Sequence, residues 1–593
     1  MIRMLLPLLA ACVACDGSQP PGAPAPNAVA VLGSSPGHPN AAAALGTPPA
    51  TTEQPVNLMK PPAINANQLL EHIKVLASDE FEGRAPGGKG EELTVGYITD
   101  QFKKIGLEPG NTDGTFVQKV PLVGIAPDAH VSLTFKNGSR TRALTYPDEF
   151  VAWTKRVIEQ AGLNASELVF VGYGVVAPEF NWDDYKGLDV KGKTWVMLVS
   201  DPPVPDPNNP DELDPKVFGG KAMTYYGRWT YKFEIAAQKG AAGALIVHET
   251  VPAGYPYDVV KGNVGEKFDL VTPDKNMGRV AVEGWVTRDQ AKQLLSMSGQ
   301  DFDTLKKQAV TREFKPVPLG TTASLTLHNS LRTVDSRNVL GKLEGSDPRL
   351  KDEYVIYSAH WDHLGRGQPV NGDDIYNGAV DNASGVAGII EIARAFKALP
   401  TKPRRSILFL AETAEEQGLL GSQYYATVPI YPLAKTLVDI NVDELNVHGR
   451  TKDLIIIGLG FSDLDDPAER AAAVQGRVLR GDLEPEKGFY YRSDHFNFAK
   501  LGVPSYSFDR GGEQFLGKPS DYGRQVREYW NSHLYHTPQD EVKPDWDLSG
   551  AIEDLQFFWM LGYQIAHGDR YPEWKAGTEF KSIRDTMLGR RRQ

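Results

Sequence analysis

The sequence predicts an α/β protein with a mostly parallel central sheet flanked by helices. From about residue 322 onward, apolar strand patterns alternate with amphipathic helix patterns. Tyr354–Ala359 and Ser406–Ala411 have the pattern of buried strands, and residues 384–399 form an apolar-faced helix that Ser384 is positioned to cap. Strands that alternate with helices are typical of a parallel sheet covered by helices on both faces.

Composition limits the class of protein. The chain has 593 residues, more than one ordinary domain, with 41% hydrophobic and 23% charged residues, as in soluble globular proteins. Its formal net charge of -12 argues against a nucleic-acid partner, because phosphate binding needs a basic surface. No obligate protein partner is evident. Both cysteines, Cys12 and Cys15, precede the predicted folded region, so a metal there must be held by His, Asp and Glu.

The beginning of the chain predicts export. The apolar run Leu5–Ala11 is too short to span a bilayer and has the pattern of a signal peptide, here residues 1–15. Leu9-Ala10-Ala11-Cys12 resembles the bacterial lipobox, whose cysteine is lipidated after cleavage; Cys15 and an ordinary cleaved signal are the alternatives. We expect a periplasmic protein, or one anchored to a membrane through Cys12, or a secreted protein.

Changes in amino-acid composition and pattern divide the chain further. Residues 16–62 are rich in Pro and Ala and predict a disordered tether. Residues 127–316 contain short β patterns between Pro-, Asp- and Asn-rich loops, which indicates a small β-rich domain inserted in the α/β domain. The α/β domain then comprises 63–126, with two helices, and 317–575, and the chain ends in a basic tail, 576–593.

Acidic and histidine residues follow the predicted strands, where α/β sheets bind their ligands. Taken singly, each has an ordinary structural explanation, such as a helix cap or a solvated surface pair. Together they supply carboxylate and imidazole ligands in the numbers that a pair of zinc ions needs. The candidates are His360 and Asp362, Asp381, Glu415 and Glu416, Asp443, and His536.

Five segments around these residues resemble the metal-site motifs of the bacterial two-zinc aminopeptidases, a family that includes glutamate carboxypeptidase, transferrin receptor and the glutaminyl cyclases. They occur in the family's order and at similar spacings, and the resemblance covers about 65–125 and 322–570. It implies a zinc aminopeptidase (phosphorylase/hydrolase-like) fold, and residues 127–316 resemble a protease-associated domain. The segments are Ser358–His363, Gly378–Gly385, Glu415–Ser422, Asn441–Asp443 and Tyr535–Thr537.

The resemblance implies a role for each residue. Asp381 bridges two zinc ions. His360 and Asp443 complete the ligands of one ion, and Glu416 and His536 complete those of the other. Asp362 hydrogen-bonds His360 and fixes its tautomer. His363 lies close to the site without being a ligand. Glu415 is the general base that takes a proton from water and returns it to the leaving amine.

Two further residues resemble parts of the family's substrate site. Tyr535 is similar to a tyrosine that stabilises the oxyanion, and Arg492, in Arg492-Ser493-Asp494-His495, to an arginine that contacts substrate. A packed tyrosine and a surface ion pair are the alternatives, and Asp494 and His495 are candidates for the pocket wall. The aromatic cluster 225–229 of the inserted domain either lines a substrate cleft or simply packs.

The expected function is that of an exported zinc aminopeptidase acting on peptides. A carboxypeptidase or dipeptidase of the glutamate carboxypeptidase type needs a basic pocket, for which only Arg492 and Arg510 stand out. A glutaminyl cyclase generally works with one zinc, and a non-enzymatic binding protein on this fold would lack site residues. Side-chain preference and oligomeric state are not readable from the sequence.

Overall fold

The computed structural model describes residues 61, 63–128, 131–262 and 264–590. The predicted signal peptide, Cys12 and nearly all of the predicted tether therefore lie outside the described residues. Within the described ranges, no helix is both long enough and apolar enough to cross a membrane.

The first elements belong to the α/β domain. Asn65 caps the first helix by accepting hydrogen bonds from the backbone N–H groups of Asn67 and Gln68. Gly106 ends the second helix with a φ of 81°, which favours glycine. The elements are α1 (Ala66–Leu76), α2 (Lys89–Ile105), β1 (Glu108–Pro109) and β2 (Val117–Pro127).

The inserted domain has its own sheet, and its apolar core continues into the α/β domain through residues such as Ile455, Tyr490 and Phe496. Its parallel strands run in the order β6–β9–β10–β12, with β5 antiparallel at one edge. The elements are β3 (Ser132–Asn137), β4 (Arg140–Leu144), β5 (Phe150–Trp153), β6 (Gln160–Phe170), β7 (Val176–Ala177), β8 (Trp182–Asp183), β9 (Thr194–Leu198), α3 (Trp229–Gln238), β10 (Gly243–His248), α4 (Thr250–Ala253), α5 (Tyr257–Gly262), β11 (Lys267–Leu270), β12 (Val282–Thr287), α6 (Arg288–Met297) and α7 (Phe302–Gln308).

One long strand, β13 (Val317–Leu343), joins the two domains. Its first half pairs with β3 and β6 as far as His328, and its second half pairs with β2 and then with the central sheet. The sheet of the inserted domain therefore extends past the predicted boundary at residue 316. The sequence pattern could not show this boundary because no turn interrupts the strand there.

The remaining elements complete the α/β domain. They are β14 (Tyr354–His360), β15 (Gly365–Val370), β16 (Asp373–Tyr376), α8 (Gly385–Lys397), β17 (Ser406–Glu412), α9 (Leu420–Thr427), β18 (Thr436–Asn441), β19 (Asp453–Ile457), α10 (Asp465–Gln475), β20 (Val478–Arg480), α11 (His495–Lys500), β21 (Ser505–Asp509), α12 (Tyr522–Tyr529), α13 (Ser549–His567) and α14 (Lys581–Met587).

The central sheet confirms the predicted fold class. Strands β17, β14, β18 and β21 are parallel neighbours, and β13 and β19 add antiparallel strands on either side. Alternate side chains of β14 and β17 enter two different apolar clusters. One cluster contains α1, α2, α8 and α13, and the other contains α9 and α11, so helices cover both faces.

Two local predictions differ from the structure. Ser384 does not cap α8, because its hydroxyl donates to the carbonyl of Val380 and accepts from the N–H of Leu445. The predicted basic tail is packed against the domain over its described part. Phe580 is buried there, and the buried guanidinium of Arg584 donates to the carbonyls of Leu433 and Thr436.

Candidate metal centre and substrate pocket

The parallel strands bring the predicted ligands to one edge of the sheet. His360 is the last residue of β14, Glu416 follows β17, and Asp443 follows β18. Asp381 lies in the turn before α8, and His536 lies in the turn that follows α12. All five side chains are buried or nearly so, and they converge on one point.

Asp381 lies between two sets of ligands. The Nε2 atom of His360 is 3.3 Å from its Oδ1 atom and 3.2 Å from Oδ1 of Asp443. On the other side, Nε2 of His536 is 3.2 Å from Oδ2 of Asp381 and 3.1 Å from Oε2 of Glu416. Each Asp381 oxygen therefore faces a different histidine.

The chemistry of this donor set fits two divalent ions. Each side offers one imidazole nitrogen and carboxylate oxygens, without a thiol, which suits zinc and allows other divalent ions. The pKa values of two of these carboxylates also fit a site for cations. Burial opposes the ionisation of Asp381, but hydrogen bonds from His360 and His536 outweigh it and hold its pKa well below the usual value. Burial likewise opposes the ionisation of Glu416, yet His536 helps to lower its pKa to about 2.

The two histidines carry the complementary charge. Burial alone favours their neutral forms, but Asp443 and Glu415 around His360, and Glu416 and Asp381 around His536, raise both pKa values well above the usual one. In the absence of metal, these carboxylates favour the protonated forms of both imidazoles. Bound metal ions take the place of these protons.

Glu415 lies beside the ligands and lines the pocket. Its side chain is buried, and burial, reinforced by the neighbouring carboxylates of Glu416 and Asp494, raises its pKa well above the usual value. A carboxyl group with a raised pKa at such a position can accept a proton and return it.

Asp362 makes a different contact from the one expected. Its Oδ1 atom accepts a hydrogen bond from the backbone N–H of Glu415 at 3.0 Å. The same oxygen is 3.8 Å from Nδ1 of His360, too far for a hydrogen bond, and that ring nitrogen instead lies 3.1 Å from the Asp362 carbonyl. In this structure Asp362 therefore holds the Glu415 backbone, and its carbonyl orients the His360 ring.

Three further side chains hold the ligands, and only one of them, His363, had been placed near the site from the sequence. The Nδ1 atom of His363 is 2.6 Å from Oε1 of Glu416. Ser493 donates to Oδ2 of Asp443 at 2.7 Å. Asp540 accepts hydrogen bonds from the backbone N–H groups of Val380 and Asp381. Asp540 lies four residues after His536, a spacing that could have drawn attention to it.

Arg84 supports the site from the N-terminal part of the domain. Its side chain is 1% exposed, and its guanidinium donates to the carbonyls of Trp361, Asn377 and Gly378 at 2.5–2.8 Å. These carbonyls belong to the two loops that carry His360 and Asp381. The sequence offered no signal for this contact beyond an arginine in a Gly-rich loop.

A pocket opens onto the predicted metal ligands. Apolar side chains form part of its wall, and three arginines also line it. Beyond the ligands and Glu415, its lining residues are Glu444, Ile457, Phe489, Arg492, Ser493, Ser507, Phe508, Arg510, Arg527, Trp530, Asn531 and Tyr535.

The predicted substrate residues fall into two groups. Arg492 and Tyr535 both line the pocket, as expected; the guanidinium of Arg492 lies 5.2 Å from the Phe489 ring centroid, and the Tyr535 ring stacks on His536 at 3.8 Å. Asp494 and His495, in contrast, are fully buried behind the wall. Asp494 accepts a hydrogen bond from Ser422 there, so neither residue forms the pocket surface.

The fold and the ligand cluster together define an α/β domain with a candidate site for divalent metal ions. Residues 338–560, less than half of the chain, match the model of peptidase family M28.

Several known proteins resemble parts of the chain. Aminopeptidase NAALADL1 of Mus musculus is 38% identical over 132 residues, which cover 21% of this chain and 16% of that protein. The glutamate carboxypeptidase 2 homolog of Caenorhabditis elegans is 35% identical over 241 residues, 37% of this chain and 28% of that protein. Aminopeptidase YwaD of Bacillus subtilis (strain 168) is 28% identical over 212 residues, 35% of this chain and 40% of that protein. The matches thus cover less than half the length of each relative.

A solved structure, the aminopeptidase from Aneurinibacillus sp. strain AM-1, aligns with 86% of this chain and 96% of its own. Its sequence identity is 20% and its TM-score is 0.48.

Proposed function

We propose that the protein is an exported, zinc-dependent aminopeptidase that removes N-terminal residues from peptides with the help of two zinc ions. The observation that carries the proposal is Asp381, whose two oxygens face two separate ligand sets with Glu415 beside them. Relatives named as aminopeptidases support it. Export, in a periplasmic, membrane-anchored or secreted form, rests on the N-terminal sequence pattern.

The chain's own residues supply most of the chemistry. When bound by His360, Asp381, Asp443, Glu416 and His536, two zinc ions would acidify a water molecule and stabilise charge on the scissile carbonyl oxygen. Glu415 accepts a proton from the attacking water and returns it to the leaving amine. Tyr535 lines the pocket beside His536, where its hydroxyl can donate to the developing oxyanion. Arg492, which also lines the pocket, contacts the bound peptide.

A panel of chromogenic aminoacyl substrates tests the proposal, with and without a chelator. We expect hydrolysis that the chelator abolishes and zinc restores, and a metal content of two ions per chain. A zinc-loaded protein that cleaves none of the substrates contradicts the aminopeptidase proposal, and one ion per chain contradicts the two-metal site.

The arginines of the pocket favour a second candidate, a carboxypeptidase or dipeptidase that recognises a terminal carboxylate. Arg527 joins Arg492 and Arg510, the two that stand out in the sequence. Arg510 pairs with Glu444, and Arg527 lies 2.9 Å from Glu513. Nε of Arg492 is buried and has no hydrogen-bond partner among the described residues. Arg492, which lines the pocket, is therefore the arginine we assign to an anionic substrate group.

Blocked dipeptides separate the two candidates. An aminopeptidase cleaves a C-amidated dipeptide and rejects its N-acetylated counterpart, because the acetyl group removes the free amine. A carboxypeptidase shows the reverse preference, since it needs the free carboxylate. Hydrolysis of the N-acetylated peptide alone would replace the aminopeptidase proposal by the second candidate.

A further inference from the structure

A turn of the inserted domain, Tyr225–Gly227, packs against residues 484–500 of the peptidase domain. The backbone N–H of Met223 donates to the carbonyl of Pro485 at 3.0 Å. The Tyr225 ring is buried, with its centroid 4.8 Å from that of Phe496 and 5.9 Å from that of Tyr491. Tyr225 of the aromatic cluster noticed in the sequence thus lies in a contact between domains, and none of the cluster's residues lines the pocket.

A mostly buried ion pair fixes the same contact. Nζ of Lys500 lies 2.5 Å from Oε1 of Glu234 on α3 and donates to the Tyr225 hydroxyl at 3.0 Å. The two charged side chains are only 15% and 8% exposed. A shift of one domain that kept both side chains buried would leave each charge without its partner, so the ion pair favours one relative position.

The segment held in this way forms one wall of the substrate pocket. Phe489 and Arg492 line the pocket, and Ser493 donates to the metal ligand Asp443. At Gly488, where φ is 62°, an added Cβ would lie 2.8 Å from Sδ of Met223. The inserted domain therefore touches the backbone of the wall directly before the residues that face the substrate.

We infer that Tyr225 is a positioning residue through which the inserted domain sets the affinity for peptide substrates. Tyr225, with the Lys500–Glu234 pair, holds residues 485–493 so that Arg492 and Phe489 face the bound peptide. The inference rests on the proposed function, because it takes the pocket to be the peptide site. The inserted domain then contributes to substrate recognition without contacting the substrate directly.

The test compares two adjacent tyrosines. Tyr225→Ala removes the ring that supports the wall. Tyr226→Ala is the matched control, because Tyr226 contacts Phe218, Tyr231 and Glu179, all within the inserted domain. Two properties are measured in the full-length, zinc-loaded protein: backbone hydrogen exchange of residues 485–493, and KM and kcat for an aminoacyl substrate.

We expect Tyr225→Ala to accelerate exchange in 485–493 and to raise KM about tenfold, with kcat changed less than about threefold and zinc content unchanged. Exchange in β14 should not change. Tyr226→Ala should leave exchange in 485–493 and KM close to those of the wild type. Tyr225→Phe, which keeps the ring, should restore most of the wild-type KM.

Equal exchange of 485–493 in the two alanine variants, or an unchanged KM for Tyr225→Ala, overturns the inference. If Tyr225→Ala does not fold, Tyr225→Leu replaces it under the same criteria. Hydrogen exchange needs no substrate, so it tests the positioning role even if the wild type hydrolyses none of the panel. That last result would count against the proposed function instead.

Discussion

The metal site and the pocket wall are built in different ways. The ligands lie at the ends of buried parallel strands or in adjoining turns, and backbone hydrogen bonds to Asp362, Asp540 and Arg84 hold those turns in place. The wall around Arg492 lies in a segment held by side chains of another domain. Metal binding and substrate binding therefore depend on separate supports, and mutations should affect them separately.

The largest effect is expected at the point where the two regions meet. Glu415→Gln keeps the size of the side chain but removes its ability to accept a proton, so kcat should fall about 10³-fold or more. Bound zinc, measured by atomic absorption, should not change. Retained activity would remove Glu415 from its assigned role, whereas loss of zinc would make it a ligand.

The metal site should also respond strongly to pH. His360 and His536 have raised pKa values in the metal-free protein, so both carry protons near neutral pH that metal ions must displace. Metal affinity should therefore increase with pH between about pH 6 and 8, by about tenfold per pH unit for each displaced proton. Calorimetry in buffers of different ionisation enthalpy counts the protons released. An affinity independent of pH would contradict the protonated cluster.

A smaller loss of metal affinity is expected from Arg84→Lys. A lysine ammonium cannot span the carbonyls of Trp361, Asn377 and Gly378 as the planar guanidinium does. Zinc affinity, measured by competition with a chromogenic chelator, should fall about 10–100-fold. Arg337→Lys is the control, since its side chain pairs with Glu91 and Glu92 away from the ligands. Equal affinities in both variants would exclude the supporting role.

The smallest effect is expected in the pocket wall. Arg492→Met removes the guanidinium that lacks a hydrogen-bond partner at Nε, so KM for a peptide with a free carboxylate should rise about tenfold. Its zinc affinity should equal that of the wild type. A fall in zinc affinity as large as that of Arg84→Lys would break the distinction between the two regions.

The same distinction explains what could be predicted from the sequence. The central strands and the residues after them have a clear local pattern, because burial on both faces demands apolar runs and the ligands follow directly in the chain. Arg84 and Ser493 were missed because their roles depend on partners far away in the sequence. The contact of Asp362 differed because two acceptors, its carboxylate and its carbonyl, lie near the same ring, and sequence does not distinguish them.

The residues that line the pocket are harder to predict from the sequence than the metal ligands. Arg527 and Trp530 reach it from α12 and the turn after it, and a loop-built surface has no periodic signal. Tyr225 could be noticed only as part of an aromatic cluster with two open interpretations. The two interpretations differ in where the inserted domain lies, and long-range contacts determine that position.

Strand β13 affects how the protein folds during synthesis and how proteolysis can separate its domains. Because residues 317–328 complete one sheet and residues 329–343 belong to the other, the inserted domain lacks its last strand until residue 328 has been synthesised, and the α/β domain lacks strands until β21 has been synthesised. Pairing across such sequence distances is slow, so both domains should remain incomplete for much of synthesis. Excising the inserted domain takes two cuts, and the cut at its second boundary falls within strand β13.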